Sequence, residues 1–109
     1  MSSNNLLLKG LPVSSGKATR RVLIAKPDDF RIPKRQDSFI LVTEFTTPMQ
    51  SMLISKSVGI VVEQGGIGSH SAIVAREFGI PCIVAKDTIK TLKKKVIISV
   101  DGTNGTIYG

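Results

Sequence analysis

Gly65-Gly66-Ile67-Gly68-Ser69-His70-Ser71-Ala72-Ile73-Val74-Ala75-Arg76-Glu77-Phe78-Gly79-Ile80-Pro81 lies between two short apolar runs, Gly59-Ile60-Val61-Val62 and Cys82-Ile83-Val84-Ala85. The apolar runs read as buried strands, and the stretch between them as a glycine loop that opens a helix. Ser69 stands at the N-cap position, Gly79 at the residue just past the helix, and Pro81 shortly beyond. Strand, helix, strand in this order implies a crossover connection and parallel neighbours. His70, the single histidine of the chain, falls at the first helical position. Unpaired backbone N–H groups and the positive end of the helix dipole gather there, which favours an anion.

The same rhythm begins further upstream. Phe39-Ile40-Leu41-Val42 is a continuous apolar run, as expected of a strand covered on both faces. Thr47-Pro48-Met49-Gln50 supplies an N-cap, an N1 proline and a capping-box Gln, opening a helix through about Lys56. Together these elements predict an α/β fold with a parallel central sheet. His70 then lies at the carboxyl edge of that sheet, where such folds place their ligands. The Thr43–Pro48 loop leaves a neighbouring strand at the same edge, so Thr46 and Thr47 are candidates to line a shared cleft, Thr47 chiefly as helix cap.

The flanks are less regular. Leu6-Leu7-Leu8 reads as a short first strand that turns through Gly10-Leu11-Pro12, and Arg21–Ala25 as a strand ending at Pro27-Asp28-Asp29. Residues 28–38 read as a polar loop. Val96–Val100 and Thr106–Tyr108 flank Asp101-Gly102-Thr103-Asn104-Gly105 as a hairpin.

At 109 residues the chain is expected to be one domain spanning 1–109, without a linker or second unit. No apolar run approaches the ~20 residues of a membrane helix, and the first residues lack the basic and apolar regions of a signal peptide. The single cysteine, Cys82, excludes an internal disulfide and fits a reducing, cytoplasmic setting; its apolar neighbours mark it as a buried structural thiol. The net charge of +7 is scattered over short clusters such as Lys93-Lys94-Lys95, Arg20-Arg21 and Lys34-Arg35. Solvated surface is the plain reading; attraction to a phosphorylated molecule, an acidic partner or nucleic acid are the sharper ones. Few aromatics and no RNP-like run speak against nucleic acid.

Counting excludes several familiar sites. One His and one Cys cannot build a His/Cys zinc site, so no metal is expected in this chain. The nucleophile-elbow pattern is absent, and the glycine run lacks the Lys-Ser/Thr ending of a phosphate-binding Walker loop. What remains is a histidine behind three glycines at a helix start, a position suited to carrying a phosphoryl group. Favourable charge–dipole contacts there contribute about 0.3–1 kcal/mol each. Arg76 follows His70 by six residues, roughly 240° around the helix, which points it away from the histidine and toward a structural bond.

Gly65-Gly66-x-x-Ser69-His70-x-Ala72-Ile73-Val74-Ala75-Arg76-Glu77-x-Gly79-Ile80-Pro81 resembles the phosphohistidine signature of the phosphoenolpyruvate-utilising enzymes. That family includes pyruvate phosphate dikinase, phosphoenolpyruvate synthase and enzyme I of the sugar phosphotransferase system. The likeness extends to Gly10-x-Pro12-x-Ser14-x-Gly16, to Ile40-Leu41-Val42 with Thr47-Pro48, and to Val100-Asp101-Gly102-x-x-Gly105-x-x-Tyr108. It implies a swivelling β/β/α domain whose phosphohistidine stands at a helix N-terminus. By that likeness His70 is the catalytic nucleophile, with Gly66, Gly68, Ser69, Ser71 and Thr47 around the phosphoryl group. The chain would be a phosphotransferase component that accepts and donates a phosphoryl group, acting with a nucleotide-binding or phosphoenolpyruvate-binding subunit or domain. Magnesium belongs to those partner modules, no cofactor to this chain, and neither nucleic acid nor membrane is an expected partner. Nothing in the residues resembles a nucleotide or phosphoenolpyruvate site, so turnover by the chain alone is not expected. Gly68 stands where many members carry Thr, which removes a hydroxyl near the phosphoryl group, and Arg20–Arg21 and Lys94 fall near positions usually held by Gly. A non-catalytic binding or regulatory module that keeps the fold is the alternative.

Overall fold

The computed structural model describes residues 5–29 and 37–109. Among the described residues eight strands form one mixed sheet: β1 (Leu6–Lys9), β2 (Leu11–Ser14), β3 (Lys17–Ile24), β4 (Phe39–Thr43), β5 (Ser57–Val62), β6 (Cys82–Val84), β7 (Ile97–Asp101) and β8 (Thr106–Tyr108). Their order across the sheet is β1-β8-β7-β3-β4-β5-β6-β2. Strands β3 to β6 run parallel, while β7, β8, β1 and β2 each pair antiparallel with their neighbours. The expected parallel sheet is therefore the central portion of a mixed one. The flanking strands arrive by hairpin and edge pairing, which produce antiparallel neighbours.

Strands β4 and β5 are buried on both faces because helices cover one side and folded-over sheet the other. Phe39, Leu41, Ile60, Val62 and Cys82 point toward helices α1 (Ser51–Lys56) and α2 (His70–Phe78), where Leu53, Ile54, Ala72 and Ala75 meet them. Their alternating neighbours Ile40, Val42, Val61 and Ile83 face the other way. These pack against Ile98, Val100 and Ile107 of β7 and β8 and against Leu92 of the short helix α3 (Thr88–Leu92). The period-2 alternation thus feeds two cores, giving a helix layer, a parallel β layer and an antiparallel β layer. Among the described residues no helix is long and apolar enough to cross a membrane.

The start of the chain departs from expectation. Leu11-Pro12 belongs to strand β2, not to a turn, and pairs with β6 at the sheet edge. An edge strand tolerates the missing proline N–H on its unpaired side. β1 and β2 occupy opposite ends of the strand order, yet only Gly10 separates them. One residue spans no more than ~3.6 Å, so the sheet must curl until its edges meet at Gly10. The Gly10 N–H donates to Gly105 O at 2.8 Å, and a Cβ at Gly10 would collide with the Val84 carbonyl and the Ala85 side chain. β3 is also longer than its apolar core suggested, because Lys17–Arg20 pair with β7. The loop expected over residues 28–38 lies largely outside the described residues.

Candidate functional site

The carboxyl ends of β3, β4, β5 and β6 open onto one edge, and two of the loops there build the site. After β5 the chain passes Gly65, with φ at +144°, and Gly66 before reaching Ser69. The Ser69 hydroxyl donates to Gly66 O at 2.8 Å and accepts from the Ala72 N–H at 3.3 Å, while the Ser69 N–H donates to Gly66 O at 3.1 Å. Ser69 thus closes the glycine loop and caps α2 in one move. His70 follows as the first residue of that helix. At the other end Gly79 adopts the left-handed conformation, φ 68° and ψ 32°, and donates to Arg76 O. The Schellman-like stop written in Gly79 and Pro81 is therefore present.

The β4 loop meets this helix start through Thr46. Thr46 Oγ1 lies 2.8 Å from His70 Nδ1 and 2.6 Å from Ser71 Oγ. Thr46 and Ser71 are buried, whereas the imidazole is half-buried. Nδ1 is thereby engaged on the protein side, which leaves Nε2 as the ring nitrogen without a protein partner among the described residues.

Thr47, next in the chain, faces elsewhere. Its hydroxyl donates to Pro27 O at 2.8 Å, and its N–H donates to Gln50 Oε1 at 3.0 Å, the Gln half of the expected capping box. Gln50, wholly buried, also donates from Nε2 to Lys26 O. The turn at Pro48–Gln50 is 3-10 before α1 begins, and the Gln50 side chain ties the β3 and β4 loops together. Of the two threonines at the cleft, the structure brings Thr46 to His70 and ties Thr47 to the β3 loop. Ser71 likewise turns inward to Thr46. Gly66 and Gly68 border the site with open space where a Cβ would stand. A partner for His70 across 24 residues of sequence leaves no local signature; the only sequence clue was a threonine in a loop leaving the same sheet edge.

Arg76 bridges from α2 to two backbone carbonyls, Val13 O at 3.0 Å and Ile67 O at 2.9 Å. It fastens strand β2 and the glycine loop to the helix, the structural role its place on the helix predicted. Cys82 is buried beneath α2, and loss of hydration pushes its thiol up to about 12, with the nearby Arg76 charge pulling weakly the other way. An inert packed thiol is the result.

Residues 35–105 match the family described as PEP-utilising enzyme, mobile domain. The chain belongs to that family. Over 109 residues it is 38% identical to the probable phosphoenolpyruvate synthase of Methanothermobacter thermautotrophicus, covering 99% of this chain and 16% of that protein. The chain thus spans about a sixth of the length of that curated relative. Among solved structures, aconitase X of Thermococcus kodakaraensis in its holo-form aligns with a TM-score of 0.69 at 20% identity, over 93% of this chain and 95% of that one. That likeness concerns the fold alone. Enzyme I in solution aligns with a TM-score of 0.53 at 26% identity, over 68% of this chain and 31% of that one. The PEP-utiliser mobile domain is therefore a mixed α/β unit in which a curled sheet presents one histidine at its edge.

Proposed function

We propose that this mobile domain is a cytoplasmic phosphoryl carrier, with His70 Nε2 as the atom that accepts and returns the phosphoryl group. The single observation that carries the reading is the Thr46–Nδ1 contact at the start of α2. A hydroxyl holding one ring nitrogen fixes the plane of the imidazole and aims the other outward. With Nδ1–H donating to Thr46 Oγ1, Nε2 keeps its lone pair. That pair forms the N–P bond while the P–O bond to the donor's leaving oxygen breaks, and the leaving oxygen departs with the electron pair. Transfer to the acceptor reverses these events.

Orientation of this kind lowers the barrier because the nucleophile needs no reordering at the moment of attack. The first turn of α2 adds dipolar stabilisation of about 0.3–1 kcal/mol per favourable contact with the arriving dianion. Gly66, Gly68 and Ser69 surround the space the phosphoryl group would take, and the open positions above the two glycines leave room for its oxygens. Thr47 and Ser71 act one step back, by fixing the loops and by holding Thr46.

In this reading the domain swivels between modules that bind nucleotide and phosphoenolpyruvate, and magnesium is handled there. Incubation with such a donor module and labelled phosphoenolpyruvate or nucleotide should place an acid-labile, alkali-stable label on the chain. His70→Ala should abolish it. A label that survives this substitution refutes the assignment, and absence of any label favours a non-catalytic module.

A further inference from the structure

Thr46 meets His70 from a stretch, Glu44–Thr47, that lies outside the strand ladders, so whatever holds this stretch decides where the imidazole points. Upstream the hold is backbone: Glu44 O accepts from the Glu63 and Gln64 N–H groups, each at 3.0 Å. Downstream it passes through side chains. Gln50 Oε1 accepts from the Thr47 N–H at 3.0 Å, and the Gln50 N–H donates back to Thr47 O at 3.0 Å. The other half of the same amide donates from Nε2 to Lys26 O at 2.9 Å, in the loop after β3. Capping the turn at Pro48–Gln50 requires only the bonds to Thr47; the bond to Lys26 crosses to another loop. Gln50 is wholly buried, with both ends of its amide in use. Burying an amide is costly unless every polar atom is paired, and once paired it specifies one arrangement of the groups around it. The amide is also chemically particular. An ionised carboxylate of the same shape cannot donate to Lys26 O, and a methionine can neither donate nor accept here.

We propose that Gln50 is a positioning residue for His70, which holds Thr46 against Nδ1 and so selects Nε2 as the nitrogen that is phosphorylated. The proposal rests on the carrier reading above and adds the residue that decides between two chemically similar ring nitrogens. Gln50 does not touch the imidazole. Its effect passes through the Thr47 peptide unit to Thr46, the next residue along the chain. A shift of about 1 Å in that loop would stretch the 2.8 Å contact between Thr46 Oγ1 and Nδ1 beyond hydrogen-bonding distance. The ring would then turn about its side-chain bonds, and either nitrogen could face the donor. With the loop held, Nδ1 stays occupied and only Nε2 presents its lone pair.

Phosphoramidate is a suitable probe, because it phosphorylates imidazole at either nitrogen: the new N–P bond forms as the P–N bond breaks, and ammonia leaves with the electron pair. On the wild-type chain the product should be Nε2-phosphohistidine alone, identified by phosphorus NMR. Gln50→Met should yield a mixture of Nε2 and Nδ1 products and lower the labelling rate by roughly threefold to tenfold through lost orientation. Ser57→Ala is the control, since it removes a buried bond to Ile54 O at the other end of β5. That variant should label at the wild-type rate and at Nε2 only, with both proteins folded by circular dichroism. Gln50→Glu supplies a rescue, and the same test should Gln50→Met not fold. A protonated carboxyl can accept from Thr47 and donate to Lys26 O, whereas a carboxylate cannot donate. Its share of Nε2 product should therefore approach the wild-type value toward about pH 6 and fall toward about pH 9, each point taken relative to the wild type at the same pH.

Nε2 product alone at the wild-type rate from Gln50→Met would overturn the proposal. So would a mixed product from Ser57→Ala, which would make loss of any buried bond sufficient, or a Gln50→Glu product ratio that does not move with pH. A mixed product from the wild type itself would overturn it as well, since the held loop would then select neither nitrogen. Failure of phosphoramidate to label wild-type His70 at all would count against the carrier reading itself.

Discussion

Thr46 Oγ1 lies 2.8 Å from His70 Nδ1 even though the two residues belong to loops that leave different strands. Because Ser71 Oγ bonds the same hydroxyl, the imidazole is tied to a buried pair. Thr46→Val keeps the side-chain shape and removes the hydroxyl, leaving Ser71 buried without that partner. Stability should fall by about 1–3 kcal/mol, measured by urea unfolding. The rate of His70 phosphorylation should fall roughly tenfold to a hundredfold through lost orientation. Thr46→Ser should restore both. A wild-type rate in Thr46→Val removes this threonine from the site.

Gly79 and Gly68 make opposite demands. Gly79 holds a left-handed conformation that ends α2, so Gly79→Val should cost about 1–2 kcal/mol or more, β-branching adding to the strain. Gly68 has open space where a Cβ would stand and no left-handed φ. Gly68→Ala should therefore change stability by less than about 0.5 kcal/mol. Equal denaturation midpoints for the two variants would deny the helix its stop at Gly79.

The contrast between these glycines also marks what the sequence could disclose. Helix α2 was legible to within a residue because its signals are local: Ser69 caps, Gly79 and Pro81 stop, and small alanines face the sheet. β4 to β6 were legible because continuous apolar runs mean burial on both faces. β2 was hidden by Pro12, a residue that argues against a strand unless the strand lies at an edge, and edges are decided by tertiary order. α3 is only five residues long and has too short a period to read. The letters offer Thr46 and Thr47 together as cleft residues and draw Thr47 forward through its cap signal, because cap signals are local whereas contact with His70 depends on how two loops converge.

Arg76 provides a test of how the site is supported from behind. Its two bonds to Val13 O and Ile67 O use the planar fork of the guanidinium, which an ammonium cannot reproduce. Arg76→Lys should lower stability by about 1–2 kcal/mol, since charge-assisted bonds to carbonyls are lost at a partly exposed position. The glycine loop, released from α2 at Ile67, should exchange its amide hydrogens faster, as locally weakened segments do. Labelling of His70 should persist. If Arg76→Lys unfolds at the wild-type midpoint with unchanged exchange, the bridge contributes nothing to holding the loop.

Cys82 gives a pH dependence whose sign is fixed by burial. Its thiol moves from an ordinary 9.0 to about 12, first because the thiolate would lose its hydration, with Arg76 opposing weakly. Below pH 9 the thiol is neutral in both folded and unfolded chains, and its full contribution to stability is present. Between about pH 9 and 12 the unfolded chain ionises while the folded one resists, so stability is lost as pH rises, at up to about 1.4 kcal/mol per pH unit. Cys82→Ala removes this linkage at the cost of a small cavity, lowering stability near neutrality yet flattening the decline above pH 9. Every other titratable group is common to the two proteins, so the difference between the two urea-unfolding curves isolates the thiol. In the native wild type at pH 8 the same burial should keep Cys82 unreactive toward a disulfide reagent until the protein unfolds. Identical alkaline slopes in the two proteins, or rapid native modification, would mean that Cys82 is open to solvent and that α2 does not seal the sheet beneath the histidine.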